Sequence, residues 1–215
     1  MSEQKHSPLP DLQPAEDSAK VRQILDGARA VFLKLGFDGA SMGDIARVAG
    51  VSKGTLYVYF ENKAELFSAL IAEERKRAKR EFHLDPDGPD IAEDLRRYGR
   101  AMLAYVSTAQ NIRSVRTVIG IAEKFPKVGQ DFYRDGPERG IVHLAAYFEA
   151  QVAAGRLRID DCRMAARQLQ MLFHTGIVSE MLYGVRAQPG DAEIARTADE
   201  AVTTFLARYG VNGAA

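Results

Sequence analysis

Apolar residues recur at intervals of three and four positions along most of this chain, which is the pattern of helices that bury one face. The first clear stretch lies between Val21 and Leu35. Ser18 can cap its start, and Gly36 stands where a helix commonly ends in a left-handed residue. No stretch alternates apolar and polar residues, so the sequence predicts no β-strand. We therefore expect an all-α protein.

Two short helices are predicted next, Met42–Ala49 and Lys53–Tyr59, with a tight turn between them. Ser41 and Ser52 stand where their hydroxyl groups can accept backbone N–H groups at the two helix starts. Two short helices joined in this way form a helix-turn-helix. A fourth helix is predicted to follow and to run into a basic segment, residues 75–80.

The chain divides into three predicted parts. Residues 1–17 contain three prolines among polar residues without periodicity, and we expect a disordered tail. Residues 18–82 form the predicted helix-turn-helix domain with the start of a linking helix. Residues 83–215 form a second predicted domain, a helical bundle. In that bundle, Pro137 is expected to open a long helix, and residues 162–183 are expected to form one continuous helix.

The charges are distributed unevenly. The chain has 215 residues with 29 basic and 29 acidic side chains, so its formal net charge is zero. Residues 20–80 nevertheless hold 12 basic and 7 acidic residues, whereas the segments on either side have an acidic excess. A basic module within a neutral chain suits binding to an anionic polymer such as DNA.

The composition also bears on the cellular compartment in which the protein is expected. The longest uncharged stretches have 12 residues, against the roughly 20 that a membrane-spanning helix needs. The N-terminus lacks the apolar core of a signal peptide. The single cysteine, Cys162, cannot form an internal disulfide, which fits a reducing environment. We expect a cytoplasmic protein without a membrane partner.

The third helix carries distinctive side chains at its start. Lys53 can donate to guanine O6 and N7, Gly54 lets the backbone approach a partner, and the Thr55 methyl group can meet a thymine methyl group. Such a first turn suits a helix that enters the major groove of double-stranded DNA. The hydroxyl groups of Tyr57 and Tyr59 can donate to phosphates.

Phosphate contacts are also predicted at helix starts. The N-terminus of a helix favours anions, as at Ser41. Lys63 lies in the first turn of the fourth helix, where its charge opposes the helix dipole, and a nearby phosphate would explain this placement. The predicted DNA-binding residues are Ser41, Ser52, Lys53, Gly54, Thr55, Tyr57, Tyr59 and Lys63.

The segment that carries these residues closely resembles the DNA-binding domain of TetR/AcrR-type transcriptional regulators. It reads FDGASMGDIARVAGVSKGTLYVYFENKAEL over residues 37–66. The resemblance implies a homodimer that binds a palindromic operator, represses transcription and is released by a small molecule, and it carries DNA roles onto residues of this segment. Residues 125–139 resemble the AefR-type C-terminal domain within the same family. The resemblance thus implies that residues 18–82 are the DNA-binding domain and that residues 83–215 are the effector-binding and dimerisation domain.

Large or adaptable residues on the C-terminal helices belong either to the core or to an effector pocket, and as a group they favour a hydrophobic or aromatic effector. They are Met102, Tyr105, Phe132, Tyr147, Phe173 and His174. The resemblance also implies that the last two predicted helices pair with their copies in a dimer. The residues assigned to that interface are Ala166, Leu169, Phe173, Ile177, Ala198, Val202 and Phe205.

No local motif predicts an enzyme. The four histidines include no pair spaced for a metal, and the chain has no cysteine cluster, so we expect no catalytic residue, no metal and no cofactor. Two alternatives to a repressor stay open. A transcriptional activator or a global regulator would use the same DNA-binding domain, and an all-α ligand-binding module would have no DNA function.

Overall fold

The computed structural model describes residues 14–78 and 82–211, and the regular elements in those two ranges are all helical. An isolated antiparallel bridge joins Leu157 and Gly210. The predicted all-α fold is confirmed. The helices are α1 Pro14–Gly39, α2 Met42–Ala49, α3 Lys53–Tyr59, α4 Lys63–Ala78, α5 Ile91–Val106, α6 Ala109–Ile121, α7 Pro126–Tyr133, α8 Arg139–Ala153, α9 Cys162–His174, α10 Ile177–Leu182 and α11 Asp191–Tyr209.

The described residues divide into two compact units, and the division falls between Glu73 and Glu74, within α4. This division comes before the predicted boundary that follows residue 82. Residues 1–13 of the predicted tail, and the side chains of the basic segment at residues 75–80, lie outside the part that the structure describes.

Aromatic rings and aliphatic side chains form the core of the first unit. The Phe32, Phe37 and Phe67 rings pack against one another with centroids 5.2 to 5.9 Å apart. Ile24 of α1 and Ile45 of α2 are completely buried, because α1 packs along α2. This core holds the short helices of the unit in place.

The two short helices have the bounds that the sequence predicts, and their caps explain why. Ser41 accepts the Asp44 N–H at 3.1 Å, and Ser52 accepts the Thr55 N–H at 2.9 Å. Gly50 ends α2 with a φ of 65°, a left-handed conformation that glycine adopts without strain. The signals for both helices are therefore local in the sequence.

Helix α1 differs from its prediction at both ends. It already runs as a helix from Pro14, before the predicted cap at Ser18. Gly36 has the positive φ expected of a terminating residue, 71°, but the chain returns to helical geometry and continues to Gly39. Proline is favoured in the first turn of a helix, because its missing N–H needs no partner there.

The second unit surrounds one large core built from α5, α8, α9 and α11. Phe148 and Phe205 are buried at its centre and stack with ring centroids 4.9 Å apart. A separate small cluster joins α6 to α10 through Ile112, Ile177 and Met181. Helix α10 thus has its own, smaller set of apolar contacts.

Pro137 does not open a new helix, contrary to the prediction. It lies inside a five-residue π-helical turn, Arg134–Glu138, that leads from α7 directly into α8. A π-turn is wider than an α-turn, so it accommodates a proline ring that would clash in a regular helix interior.

The predicted single helix over residues 162–183 is also wrong, because it is broken into α9 and α10. Thr175 has a ψ of 116°, and Gly176 has a φ of 74°, so neither is helical. Glycine within a helical pattern is tolerated often enough that the sequence alone does not reveal such a break.

The turn-rich segment before α5 is held by Gln151 of α8 and by Arg156, which follows that helix. Arg156 donates to the carbonyl oxygens of Pro86 and Gly88 at 2.6 and 2.7 Å, and Gln151 donates to that of Pro86 at 2.9 Å. Three donors on two carbonyl groups fix the path of this segment within the second unit.

A substitution at Gly27 tests the packing of α1 on α2. A Cβ atom at this position would lie 2.6 to 2.7 Å from the backbone and Cβ of Ala49. We expect Gly27→Ala to destabilise the chain by about 1–3 kcal/mol, because the backbone must shift. Thermal unfolding followed by circular dichroism measures this change.

Gly120→Ala is the matched control, because a Cβ there would have no neighbour within 4 Å. Alanine favours a helix over glycine by about 1 kcal/mol, so this variant should be neutral or slightly stabilised. Equal melting temperatures for the Gly27 variant and the unmodified chain would contradict the close contact.

Candidate nucleic-acid interface

Two buried residues decide which side of α3 is exposed. Leu56 is completely buried, and Phe60, just after the helix, is 7% exposed. At about 100° per residue, Lys53, Gly54 and Tyr57 fall within one arc of the helix beside this anchored side. All three are exposed. The sequence predicts DNA contacts for these three residues, and the structure leaves all three accessible.

The first turn of α3 is locked by hydroxyl groups. Ser52 caps the helix, and its Oγ lies 2.8 Å from Thr55 Oγ1. A Cβ built on Gly54 would meet nothing within 4 Å except Ser52 Oγ. The backbone of this turn can therefore come close to a partner without a steric barrier.

The Lys53 side chain reaches back to the start of α2. A Cβ atom at Gly43 would lie 2.9 Å from Lys53 Cε and 3.2 Å from Lys53 Nζ. The end of the lysine side chain therefore packs against Gly43, where any larger residue would collide with it. Gly43 was missed by the sequence analysis. The signal available was a glycine in the first turn of a short helix, where it weakens the helix unless close approach requires it.

The start of α2 carries an ionised carboxylate. Ser41 Oγ donates to Asp44 at 2.5 Å, and Arg47 donates to the same side chain at 3.3 Å. The Ser41 hydrogen bond, supported by Arg47, lowers the pKa of Asp44 below its ordinary value. Ser41 is thus engaged in the cap, both as acceptor and as donor, and Arg47 is a further exposed cation beside it.

Lys63 lies beside the turn between α1 and α2. Its ammonium group donates to the carbonyl oxygens of Phe37, Asp38 and Ala40. Of the predicted DNA-binding residues, Thr55, Tyr59 and Lys63 are half-buried, whereas the others are exposed.

No group of acidic, histidine or cysteine side chains in the described ranges could hold a metal ion. Among the described helices, none combines the length and apolar character needed to cross a membrane.

The residues proposed for an effector pocket separate into two groups. Met102, Tyr147 and Phe173 are buried in the main core. The Phe173 ring packs directly on Gly99 of α5, where a Cβ atom would lie 2.2 Å from the ring. Burial, together with the Asp94 carboxylate 3.5 Å from its hydroxyl, raises the pKa of Tyr147. These three residues pack the core.

The second group is half-buried and consists of Tyr105, Phe132 and His174. His174 Nε2 is buried, and none of the residues that the structure describes is its hydrogen-bond partner. Burial also lowers the pKa of His174, because it disfavours the charged imidazolium.

The residues predicted for the dimer interface face the interior of their own chain. None of the seven is more than 3% exposed. The structure thus assigns Ala166, Leu169, Phe173, Ile177, Ala198, Val202 and Phe205 to the core of a single subunit. The sequence could not separate the two roles, because small and apolar residues suit both. Exposed apolar side chains on α9 are instead Met164 and Met171.

A capped helix-turn-helix followed by a larger helical unit is the architecture of a DNA-binding transcriptional regulator. A family model described as bacterial regulatory proteins of the tetR family matches residues 24–70. A second, described as the C-terminal domain of AefR-like transcriptional repressors, matches residues 93–211. The chain belongs to the TetR family, which consists of transcriptional regulators and not enzymes. The AefR-type resemblance of the C-terminal part is confirmed.

Solved structures match along nearly the whole chain. A TetR-family regulator from Mesorhizobium loti MAFF303099 is 28% identical, with 90% of this chain and 98% of that chain covered and a TM-score of 0.83. The flavonoid-responsive regulator FrrA is 30% identical, with 91% and 99% covered and a TM-score of 0.78.

Curated relatives match over a shorter part of the chain. An HTH-type transcriptional repressor of Mycobacterium tuberculosis is 36% identical over 69 residues, which are 32% of this chain and 37% of that protein. The chain therefore spans about a third of the length of the curated relatives that it matches.

His174 gives a prediction about pH. Since burial lowers the pKa of His174 below 6.5, the unfolded chain binds a proton there that the folded chain does not. We expect stability to fall as the pH drops from about 6.5 to 5, by at most about 1.4 kcal/mol per pH unit from this group. Melting temperatures of the His174→Gln variant should fall less over this range.

His83→Gln, which alters an exposed histidine of the same unit, is the matched control and should follow the unmodified chain. An acid dependence that is identical in the His174 variant and the unmodified chain would refute this account.

Proposed function

We propose that this protein is a homodimeric, sequence-specific repressor of transcription that binds a palindromic DNA operator and is released from it by a small hydrophobic or aromatic molecule. The observation that carries the proposal is the exposed first turn of α3. Leu56 anchors this helix from inside, and Ser52 fixes its start, so that Lys53, Gly54 and Thr55 are presented together.

The residues of this turn divide into base-reading and phosphate-binding groups. Lys53 supplies donors for guanine, and Thr55 supplies a methyl group for thymine. Ser41, Ser52, Tyr57 and Tyr59 lie at helix starts or on α3, where hydroxyl groups position a helix on the DNA backbone. Gly54 keeps the distance between backbone and DNA short.

Repression is supported by what the relatives are called. The Mycobacterium tuberculosis relative is a transcriptional repressor, and the C-terminal family description is also that of a repressor. An activator or a global regulator would bind DNA with the same residues. Footprinting on the flanking promoter, combined with a transcription assay, separates these outcomes. The proposed site of action is the cytoplasm.

An aromatic effector is supported by the second unit and by one relative. FrrA, which this chain matches over most of its length, is described as flavonoid-responsive. Tyr105, Phe132 and His174 are partly accessible aromatic residues, and the unpartnered His174 Nε2 can accept or donate a hydrogen bond. A planar molecule with hydroxyl groups would use both properties.

Dimerisation follows from how little DNA one helix reads. A seven-residue recognition helix contacts only a few base pairs, and pairing two copies doubles the site. In the dimer the two recognition helices must lie about 34–36 Å apart, one turn of DNA. The effector lowers DNA affinity by binding better to a conformation in which this spacing is lost.

Selection of bound sequences from random double-stranded DNA tests the DNA-binding part. The full chain should enrich a palindrome. Lys53→Ala should relax the preference at one base pair in each half-site, with a loss of about 1–3 kcal/mol at that position. Lys34→Ala, which removes an exposed lysine from α1, should leave the preference unchanged. Fluorescence anisotropy with the selected duplex measures both variants.

Failure to enrich any sequence would overturn the proposed function. The same anisotropy measurement, repeated with flavonoids and other aromatic molecules, addresses release. Loss of binding with at least one of them supports the effector, and unchanged binding across the panel contradicts an aromatic effector.

The dimer surface is tested at Met171, which is 58% exposed on α9. We expect Met171→Arg to shift the equilibrium from dimer to monomer, because it places a charge in an apolar contact. Val142→Arg, at an exposed position of α8, is the control and should leave the dimer intact. Sedimentation velocity over a dilution series gives the result, and a monomeric unmodified chain would disprove the homodimer.

A further inference from the structure

The position of Lys63 is unfavourable unless something nearby compensates its charge. It is the first residue of α4, and a cation at a helix N-terminus opposes the positive end of the helix dipole. The sequence suggested a DNA phosphate as the compensating group. The structure offers a different one within the protein.

Three backbone carbonyl oxygens surround the Lys63 ammonium group. The distances from Nζ are 2.5 Å to Phe37, 2.9 Å to Ala40 and 3.3 Å to Asp38. An ammonium group has three N–H donors, so these acceptors use all of them. The carbonyl groups belong to the end of α1 and the turn after it, where no intrahelical partner exists.

An aromatic ring completes this environment. Lys63 Nζ lies 4.4 Å from the centroid of the Phe37 ring. That ring packs against Phe67 with centroids 5.4 Å apart, as part of the core of the first unit. The lysine is therefore held by charge–ring attraction as well as by hydrogen bonds.

We infer that Lys63 is a positioning residue of the helix-turn-helix rather than a phosphate-binding residue. It ties the turn between α1 and α2 to the start of α4. Ala40, one of its acceptors, directly precedes Ser41, the cap of α2. Lys63 thereby sets where α2 begins and, through the following turn, where α3 is presented. This inference rests on the proposed DNA-binding function.

A phosphate contact would compete with this arrangement. To donate to DNA, the ammonium group would have to give up at least one of its three hydrogen bonds to carbonyl groups at the end of α1 and in the turn after it. The positioning role requires no such rearrangement, and DNA can bind with the turn intact.

Two substitutions distinguish the roles. Lys63→Met keeps the apolar stem and removes the donors. Lys63→Arg keeps the charge, but its planar fork cannot direct its N–H groups to three carbonyls converging on one atom. A positioning role predicts that both variants bind the selected duplex about tenfold more weakly than the unmodified chain. Affinity is measured well below the melting temperature of each variant, so that every chain is folded.

The salt dependence of binding is the decisive readout. Loss of one phosphate contact reduces the slope of log affinity against log salt by about 0.9, whereas loss of positioning leaves the slope unchanged. We expect unchanged slopes for both variants. A shallower slope for the Met variant, with full affinity retained by the Arg variant, would overturn the inference. Lys34→Met, an exposed lysine of α1, controls for loss of a surface charge.

A measurement without DNA keeps the two proposals separable. The Ile45 N–H donates to the carbonyl of Ser41 in the first turn of α2, and the Phe60 N–H donates to Leu56 at the end of α3. Both Lys63 variants should speed amide hydrogen exchange at Ile45 more than at Phe60. Equal exchange in all variants overturns the positioning role, whereas a chain that selects no DNA overturns only the proposed function.

Discussion

Helix ends impose the main constraint on the first unit. Every helix leaves its first N–H groups and last carbonyl groups without intrahelical partners, and in helices of seven or eight residues these groups are a large share of the backbone. Ser41, Ser52 and Asn62 accept N–H groups at three helix starts. Gln23 donates to the last carbonyl of α2 at 2.7 Å, and Lys63 serves the end of α1. Because Gln23 and Lys63 reach from other helices, the bonds that complete one helix also fix its neighbour.

What could be predicted from the sequence was what depends on near neighbours in the chain. The bounds of α2 and α3 follow from serine caps whose bonded N–H groups lie three residues away. The partners of Lys63 lie 23 to 26 residues away, so no local pattern could find them. The packing of Lys53 against Gly43 could not be predicted for the same reason, because it forms only when α2 and α3 are folded together.

In the second unit the sequence identified apolar residues but could not assign their neighbours. Phe173 fitted a pocket, an interface and a core, and its contact with Gly99 of α5 places it in the core. The breaks at Pro137 and Gly176 also depend on packing, since each residue is compatible with a helix in some context. Exposure of Met171 likewise became visible only when the inner face of α9 was known.

The contacts of the basic side chains show that fewer of them are available to DNA than the charge count suggests. Residues 20–80 carry a basic excess, yet Arg29 pairs with Asp26, Arg47 pairs with Asp44, and Lys63 faces carbonyl groups. Affinity that comes from phosphate neutralisation grows with the number of cations that displace counterions from DNA. Since several described cations are already engaged within the protein, attraction by charge alone is modest for one copy. In the proposed dimer, binding would then depend on the fit of α3 and on two copies acting together, so the fixed geometry of the helix-turn-helix and dimerisation would serve the same end.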